Sequence, residues 1–120
     1  MKMHKSFIVN ILVTPWYLYI IENKLGHYYT GICKDVSRRF SEHQGSGIKC
    51  AKALKGKGPL SLIFCCQLDD HSSALKMELW VKSLNKDKKI RLVGDSLNCD
   101  FFHCRLSPST FTKTEAGGVK

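Results

Sequence analysis

From Trp16 to Glu22 the chain runs through aromatic and β-branched residues, a strand pattern in which Tyr17, Tyr19 and Ile21 fall on one face and Leu18 and Ile20 on the other. Asn23-Lys24-Leu25-Gly26 carries turn chemistry, and His27 to Cys33 resumes the two-residue period with Tyr29 and Gly31 on a common face. The pair predicts a β-hairpin. The period then lengthens. Asp35 is placed to cap a helix starting at Val36, where Val36, Phe40 and His43 recur on one side and Arg39 sits at the edge of that stripe, one turn from His43. Gly45-Ser46-Gly47 ends this helix, Ile48 to Leu54 predicts a short second one, and Lys55-Gly56-Lys57-Gly58-Pro59 must be a loop.

Leu60 to Leu68 is an apolar run of strand length, expected to pair with the hairpin. Asp69 to Ser73 offers caps for the longest helical pattern, Ala74 to about Val93, with Ala74, Met77, Trp80, Val81 and Leu84 as its buried stripe and Glu78 on the flank. Lys86 to Arg91 either continues that helix or restarts it. Beyond Gly94 the periodicity is lost; Phe101-Phe102 offers an apolar pair that can dock, and Ser107 to Lys120 has tail composition. These elements predict an α+β domain, a small antiparallel sheet with helices packed on it. Three regions follow: an N-terminal extension at 1–14, a domain at 15–93, and a partly disordered C-terminal tail at 94–120.

At 120 residues the chain supports one hydrophobic core and not two. Nineteen basic against ten acidic residues leave a formal charge of +9, which points to an anionic partner, nucleic acid ahead of a membrane surface. Phe7 to Val13 superficially resembles a signal peptide. It is interrupted by Asn10, leads to Thr14-Pro15-Trp16 instead of a cleavage site, and is too short to span a bilayer. The six cysteines include the adjacent pair Cys65-Cys66 in an apolar run, so they read as reduced side chains and the setting as cytoplasmic. Cys99, His103 and Cys104 lack the paired spacing of a structural zinc site.

The order Tyr17-Leu18-Tyr19, nine residues, Tyr29-Thr30-Gly31, then Arg38-Arg39-Phe40-Ser41-Glu42-His43 resembles the GIY-YIG nuclease superfamily. The stretch Gly45 to Pro59 further resembles its small stand-alone YhbQ-like group. The likeness covers about residues 16 to 93. It implies a three-stranded antiparallel sheet flanked by helices and metal-dependent hydrolysis of DNA phosphodiesters, with repair or recombination as the setting. By position it implies that Tyr19, Tyr29, Arg39 and His43 are catalytic, that Glu78 binds the metal, and that Tyr17 and Gly31 are structural motif positions. Both half-motifs depart at their other positions but keep these tyrosines and Gly31. The resemblance brings no appended DNA-binding domain, so specificity is left to a protein partner.

The same residues suit the chemistry. A carboxylate at Glu78 can bind one Mg²⁺ or Mn²⁺ ion if water and phosphate complete its shell. The planar fork of Arg39 matches two phosphate oxygens. Tyr19 is expected to be the general base towards water, Tyr29 and His43 to orient substrate or move a proton, and Gly31 to permit close backbone approach. Lys34, Arg38, Lys49, Lys52, Lys55 and Lys57 bracket these residues and predict phosphate contacts without sequence reading. Taken singly, a strand tyrosine is ordinarily a core residue and a helix arginine a solvated one; their joint order favours the site. The other expectation is a nucleic-acid-binding module with this fold and little or no catalysis.

Overall fold

The computed structural model describes residues 15–94, 97 and 104–112. The N-terminal extension, Phe101-Phe102, Cys99 and His103 lie outside them. The sheet is built from β1 (Trp16–Glu22), β2 (Tyr28–Cys33), β3 (Ser61–Leu68) and β4 (Cys104–Leu106), in the spatial order β2-β1-β3-β4 with every pairing antiparallel. Three strands were the expectation and four are present. The fourth pairs Arg105 with Cys66 and Leu106 with Cys65. A three-residue strand is too short to display a period of two; it forms because the outer edge of β3 otherwise carries unpaired backbone donors and acceptors.

The helices are α1 (Val36–Gln44), α2 (His71–Ser83) and α3 (Lys86–Val93). Asp35 caps α1, its carboxylate accepting from the Arg38 N–H at 3.1 Å, and Asp70 caps α2 by accepting from Ser73 N–H at 2.8 Å. The helical pattern expected from Ala74 to about Val93 is two helices, with the second restarting at Lys86 as the sequence allowed, and the first begins earlier, at His71. The break falls at Leu84-Asn85, where the Asn85 side chain accepts from Lys88 N–H at 2.9 Å. Asparagine is favoured at a helix start over an interior, so it restarts the chain here. The short helix expected over Ile48 to Leu54 is only a 3₁₀ turn at Lys52–Leu54. Ser46 takes a left-handed φ of 54°, and the Ala51 N–H is spent on the His43 ring, so the backbone here does not run as a regular helix.

Strand alternation sends two sets of side chains to opposite layers. On one face Leu18, Ile20, Phe64, Cys66 and Leu68 pack with Ala74, Met77 and Val81 of α2 and Leu92 of α3. On the other, Tyr19, Ile21, Cys33 and Cys65 pack with Val36 and Phe40 of α1 and with Cys50 and Leu54. Large buried aliphatic side chains contribute about 1.5–3 kcal/mol each, so the first face, with more of them, is the main apolar anchor. The second face uses small cysteines, which leave room for an aromatic and an imidazole between sheet and helix. Leu18 and Thr30, the middle residues of the two half-motifs, both lie on the strand positions facing the first layer, away from the tyrosines.

The C-terminal segment is tied to both layers. Arg105 donates to the carbonyls of Val93 (3.0 Å) and Leu92 (2.6 Å) at the end of α3, and its guanidinium lies 4.7 Å from the Phe64 ring centroid. Ser37 Oγ donates to the Phe111 carbonyl at 3.1 Å, and the Phe111 ring meets Tyr17 edge-on at 6.2 Å. We expect Arg105→Ala to lower unfolding free energy by about 1.5–3 kcal/mol, the range for hydrogen bonds to a charged group. A urea melt reads this as a lower midpoint; an unchanged midpoint would mean that β4 adds nothing to the fold.

Candidate active site

Tyr19 and Gly31 are direct cross-strand partners on β1 and β2. The Tyr19 ring lies across Gly31 so closely that a Cβ there would fall 2.5 Å from the phenol oxygen and 2.6 Å from the carbon bearing it. The glycine is required for room, its backbone needing no left-handed conformation. The close approach expected of Gly31 is thus made by the protein's own tyrosine.

Above that ring sits His43, the last buried residue of the α1 stripe. The backbone N–H of Ala51 donates to His43 Nδ1 at 3.2 Å, and His43 Nε2 lies 2.9 Å from the Tyr19 hydroxyl. Because Nδ1 accepts, the neutral ring carries its proton on Nε2 and donates it to the phenol oxygen. The tautomer is assigned from the Ala51 donor. The proton of Tyr19 itself is thereby directed away from the histidine. His43 is fully buried, and burial, followed by the nearby Arg39 charge, pushes its imidazole down to about 4. Burial likewise pushes the Tyr19 phenol well above its ordinary range, with Tyr29 adding in the same direction and Arg39 opposing. At neutral pH the pair rests uncharged. Both ring nitrogens of His43 are engaged inside the fold, Nδ1 by the Ala51 N–H and Nε2 at the Tyr19 phenol.

Arg39, one turn before His43, is the half-exposed cation of the site. Its Nη1 donates to Glu42 Oε1 (2.8 Å) and to the Lys49 carbonyl (2.7 Å), and its charge acts on the Tyr19 phenol, favouring the ionised form. The Arg39 hydrogen bond holds the Glu42 carboxyl below the usual carboxylate range. Tyr29, half-buried on β2, places its ring edge-on to His43 with centroids 5.5 Å apart and 6.3 Å from Tyr19. Nearby thiols are not reactive. Burial raises Cys33 to about 11 and Cys65 to about 12, and with Cys50 and Cys66 they are free cysteines.

Tyr19, Tyr29, Arg39 and His43 therefore meet in one place. Glu78 has a different setting: it is half-buried on α2, the helix packed on the opposite face, and pairs with Lys82 at 3.1 Å. Among the described residues no group of three His, Cys, Asp or Glu is arranged to hold a metal ion. A single carboxylate holds a hard cation only where water and phosphate complete its shell. Of the basic residues, Lys49, Lys52 and Lys55 are exposed on the segment whose carbonyl Arg39 grips, while Lys57 is half-buried. Lys34 lies 5.4 Å from the Trp16 ring and Arg38 reaches Glu42 at 3.8 Å. Glu42, the Ala51 N–H and the Lys49 carbonyl were not expected. Glu42 sits three residues after Arg39, a spacing that brings helix side chains together, whereas backbone groups leave no mark on the sequence.

Two outcomes follow from this geometry. Gly31→Ala is expected to displace the Tyr19 ring, costing about 1–3 kcal/mol as overpacking, and to remove the Tyr19–His43 bond; thermal melts together with the Tyr19 hydroxyl signal by NMR check it. The second concerns pH. A histidine held neutral in the fold, with its value about 4 against an unfolded value near 6.5, means that the unfolded chain binds the extra proton between those limits. Stability is then full above about pH 6.5 and declines as pH falls towards 4, with a slope approaching about 1.4 kcal/mol per pH unit from this group. His43→Gln should flatten that portion of the urea-derived stability profile, and parallel profiles for the two proteins would contradict it.

The profile of the GIY-YIG catalytic domain matches residues 15–91. A UPF0213 protein of Pectobacterium carotovorum subsp. carotovorum is 54% identical over 80 residues, covering 67% of this chain and 79% of the relative. A UPF0213 protein of Yersinia pestis is 50% identical over 80 residues, covering 67% and 82%. The solution NMR structure of the UPF0213 protein BH0048 from Bacillus halodurans has a TM-score of 0.45 at 38% identity, covering 67% of this chain and 83% of that one. Among the described residues no helix is long and apolar enough to cross a membrane. With its matched span running from β1 into α3 and holding every residue of the Tyr19 cluster, this chain belongs to the GIY-YIG family of the nuclease superfamily.

Proposed function

We propose that this protein is a metal-dependent endonuclease that hydrolyses nucleic-acid phosphodiesters, DNA foremost. The observation that carries the reading is the chain of donors Ala51 N–H to His43 to Tyr19, with the Arg39 guanidinium beside the same phenol. Tyr19 is the general base. A phenol of ordinary pKa, about 10, is ionised in only about one part in a thousand at neutral pH, and burial makes ionisation harder still. Negative charge on its oxygen is met by the His43 Nε2–H and by Arg39, which makes His43 a positioning residue for the base. Arg39 also offers its remaining donors to the phosphate, where charge grows in the transition state. Tyr29, its ring edge-on to His43, orients the scissile group.

Glu78 is the residue that would hold Mg²⁺ or Mn²⁺. Such an ion supplies Lewis-acid polarisation of the phosphate and stabilises the leaving oxygen. Lys34, Arg38, Lys49, Lys52, Lys55 and Lys57 supply affinity without sequence discrimination, which fits a role in DNA repair or recombination in the cytoplasm, with any finer specificity brought by a protein partner.

One observation favours a second reading, a nucleic-acid-binding module with weak or no catalysis: Glu78 pairs with Lys82 on a helix of the opposite layer. A cleavage panel of flapped, nicked, branched and single-stranded DNA and RNA with Mg²⁺ or Mn²⁺ separates the two. For the enzyme, Tyr19→Phe should reduce the cleavage rate about 10²–10⁴-fold with binding retained, and Arg39→Lys about 10²–10³-fold. Glu78→Gln should abolish the response to divalent cation. Binding by the wild type without cleavage of any substrate would favour the module.

A further inference from the structure

Residues 45 to 57 wrap around the active-site cluster and are held by it. Arg39 grips the Lys49 carbonyl, His43 receives the Ala51 N–H, and the Cys50 thiol donates to the His43 carbonyl at 3.2 Å. Gly56 N–H donates to Ser46 Oγ, Cys50 N–H to the Gly47 carbonyl at 3.1 Å, and Lys24 N–H to the Lys57 carbonyl at 2.9 Å. Buried Leu54 anchors the middle. On this fixed segment stands Ile48, 96% exposed and one residue from the carbonyl that Arg39 holds. Among the described residues the other exposed aliphatic side chains, Leu25 in the β1–β2 turn and Leu75, Leu79 and Ile90 on helices, are all more covered, the freest being Leu79 at 70%. Single exposed apolar residues are ordinary on protein surfaces. A fully projecting isoleucine on a clamped, lysine-bearing loop beside an arginine is a more specific arrangement, because the rigid loop cannot fold the side chain back to cover it.

We infer that Ile48 is a wedge that enters the base stack of the substrate beside the phosphate held by Arg39, so that the preferred substrate is duplex DNA interrupted by a nick or branch. The inference rests on the nuclease reading and specifies its substrate class. Apolar side chains inserted at a base step must unstack it, and that cost falls where the step is already broken. Lys49, Lys52 and Lys55, exposed on the same loop, hold the flanking phosphates while contributing no preference of their own. Discrimination between interrupted and continuous duplex therefore falls to Ile48.

The test uses the full chain without divalent cation, so that binding is read apart from cleavage. Two duplexes of the same length and composition, one continuous and one nicked, carry 2-aminopurine at the step beside the nick. The wild type should raise 2-aminopurine emission on the nicked duplex and bind it about tenfold more tightly than the continuous one. Ile48→Ser should lose the emission rise and bind both within about twofold, and Ile48→Met should keep the preference. The melting temperature of Ile48→Ser should match the wild type, since the side chain packs on nothing. Equal emission and equal preference in wild type and Ile48→Ser would overturn the wedge, and intact cleavage in both would leave the nuclease reading standing. Self-association of the wild type that Ile48→Ser abolishes, with DNA preference unchanged, would also overturn it by making Ile48 a protein contact. A wild type that neither binds nor cleaves any nucleic acid would remove both.

Discussion

The second face of this domain is arranged around the contact between the Tyr19 ring and the bare backbone of Gly31, with His43 donating to the phenol from above. A buried hydroxyl without a partner costs about 1–3 kcal/mol, and a buried imidazole has two nitrogens to satisfy. One bond of 2.9 Å satisfies one nitrogen and the hydroxyl together, and the Ala51 N–H satisfies the other. This constrains three elements at once. β2 must offer a glycine, α1 must cross the sheet with His43 above it, and the loop after α1 must return its backbone to the helix end. The small cysteines of this face are the packing counterpart, filling the space between without crowding the rings.

Neutrality is the second consequence. Burial holds the histidine uncharged and the phenol protonated, and the formal charge nearby is the half-exposed Arg39, partly offset by Glu42. The resting site is an uncharged pair beside a cation whose Nη1 is already engaged. Such a pair is stable in a low-dielectric layer, where an unpaired charge would be costly. Its charge state changes when pH falls towards about 4, where His43 binds a proton.

The two layers divide the work of the domain. The face carrying Leu18, Ile20, Phe64 and α2 holds most of the large aliphatic burial, so the tyrosine face can accommodate polar groups without losing the fold. The C-terminal segment joins the layers: Arg105 satisfies carbonyls at the end of α3 on one side, while Phe111 meets Tyr17 on the other. Tyr17, the first residue of its half-motif, is a packing partner for a segment beyond the matched span of 15–91.

Alternation of side chains was enough to assign β1 and β2 and to sort Tyr17, Tyr19 and Ile21 from Leu18 and Ile20, because strand geometry maps sequence parity directly onto faces, and β3 was legible as an apolar run of strand length. The Asp35 cap and the Val36-Phe40-His43 stripe were equally legible, since helix periodicity is local. The order of tyrosines, arginine and histidine identified the family. What the chain alone did not disclose depends on contacts between distant segments. β4 exists because β3 has an open edge, and the long helical pattern breaks because Asn85 caps better than it propagates. The use of Gly31, the tautomer of His43 and the clamping of the loop bearing Ile48 all arise from backbone groups and from space, and neither is written in side-chain identity. Residue type determined which chemistry was available, and tertiary packing decided which atoms face one another.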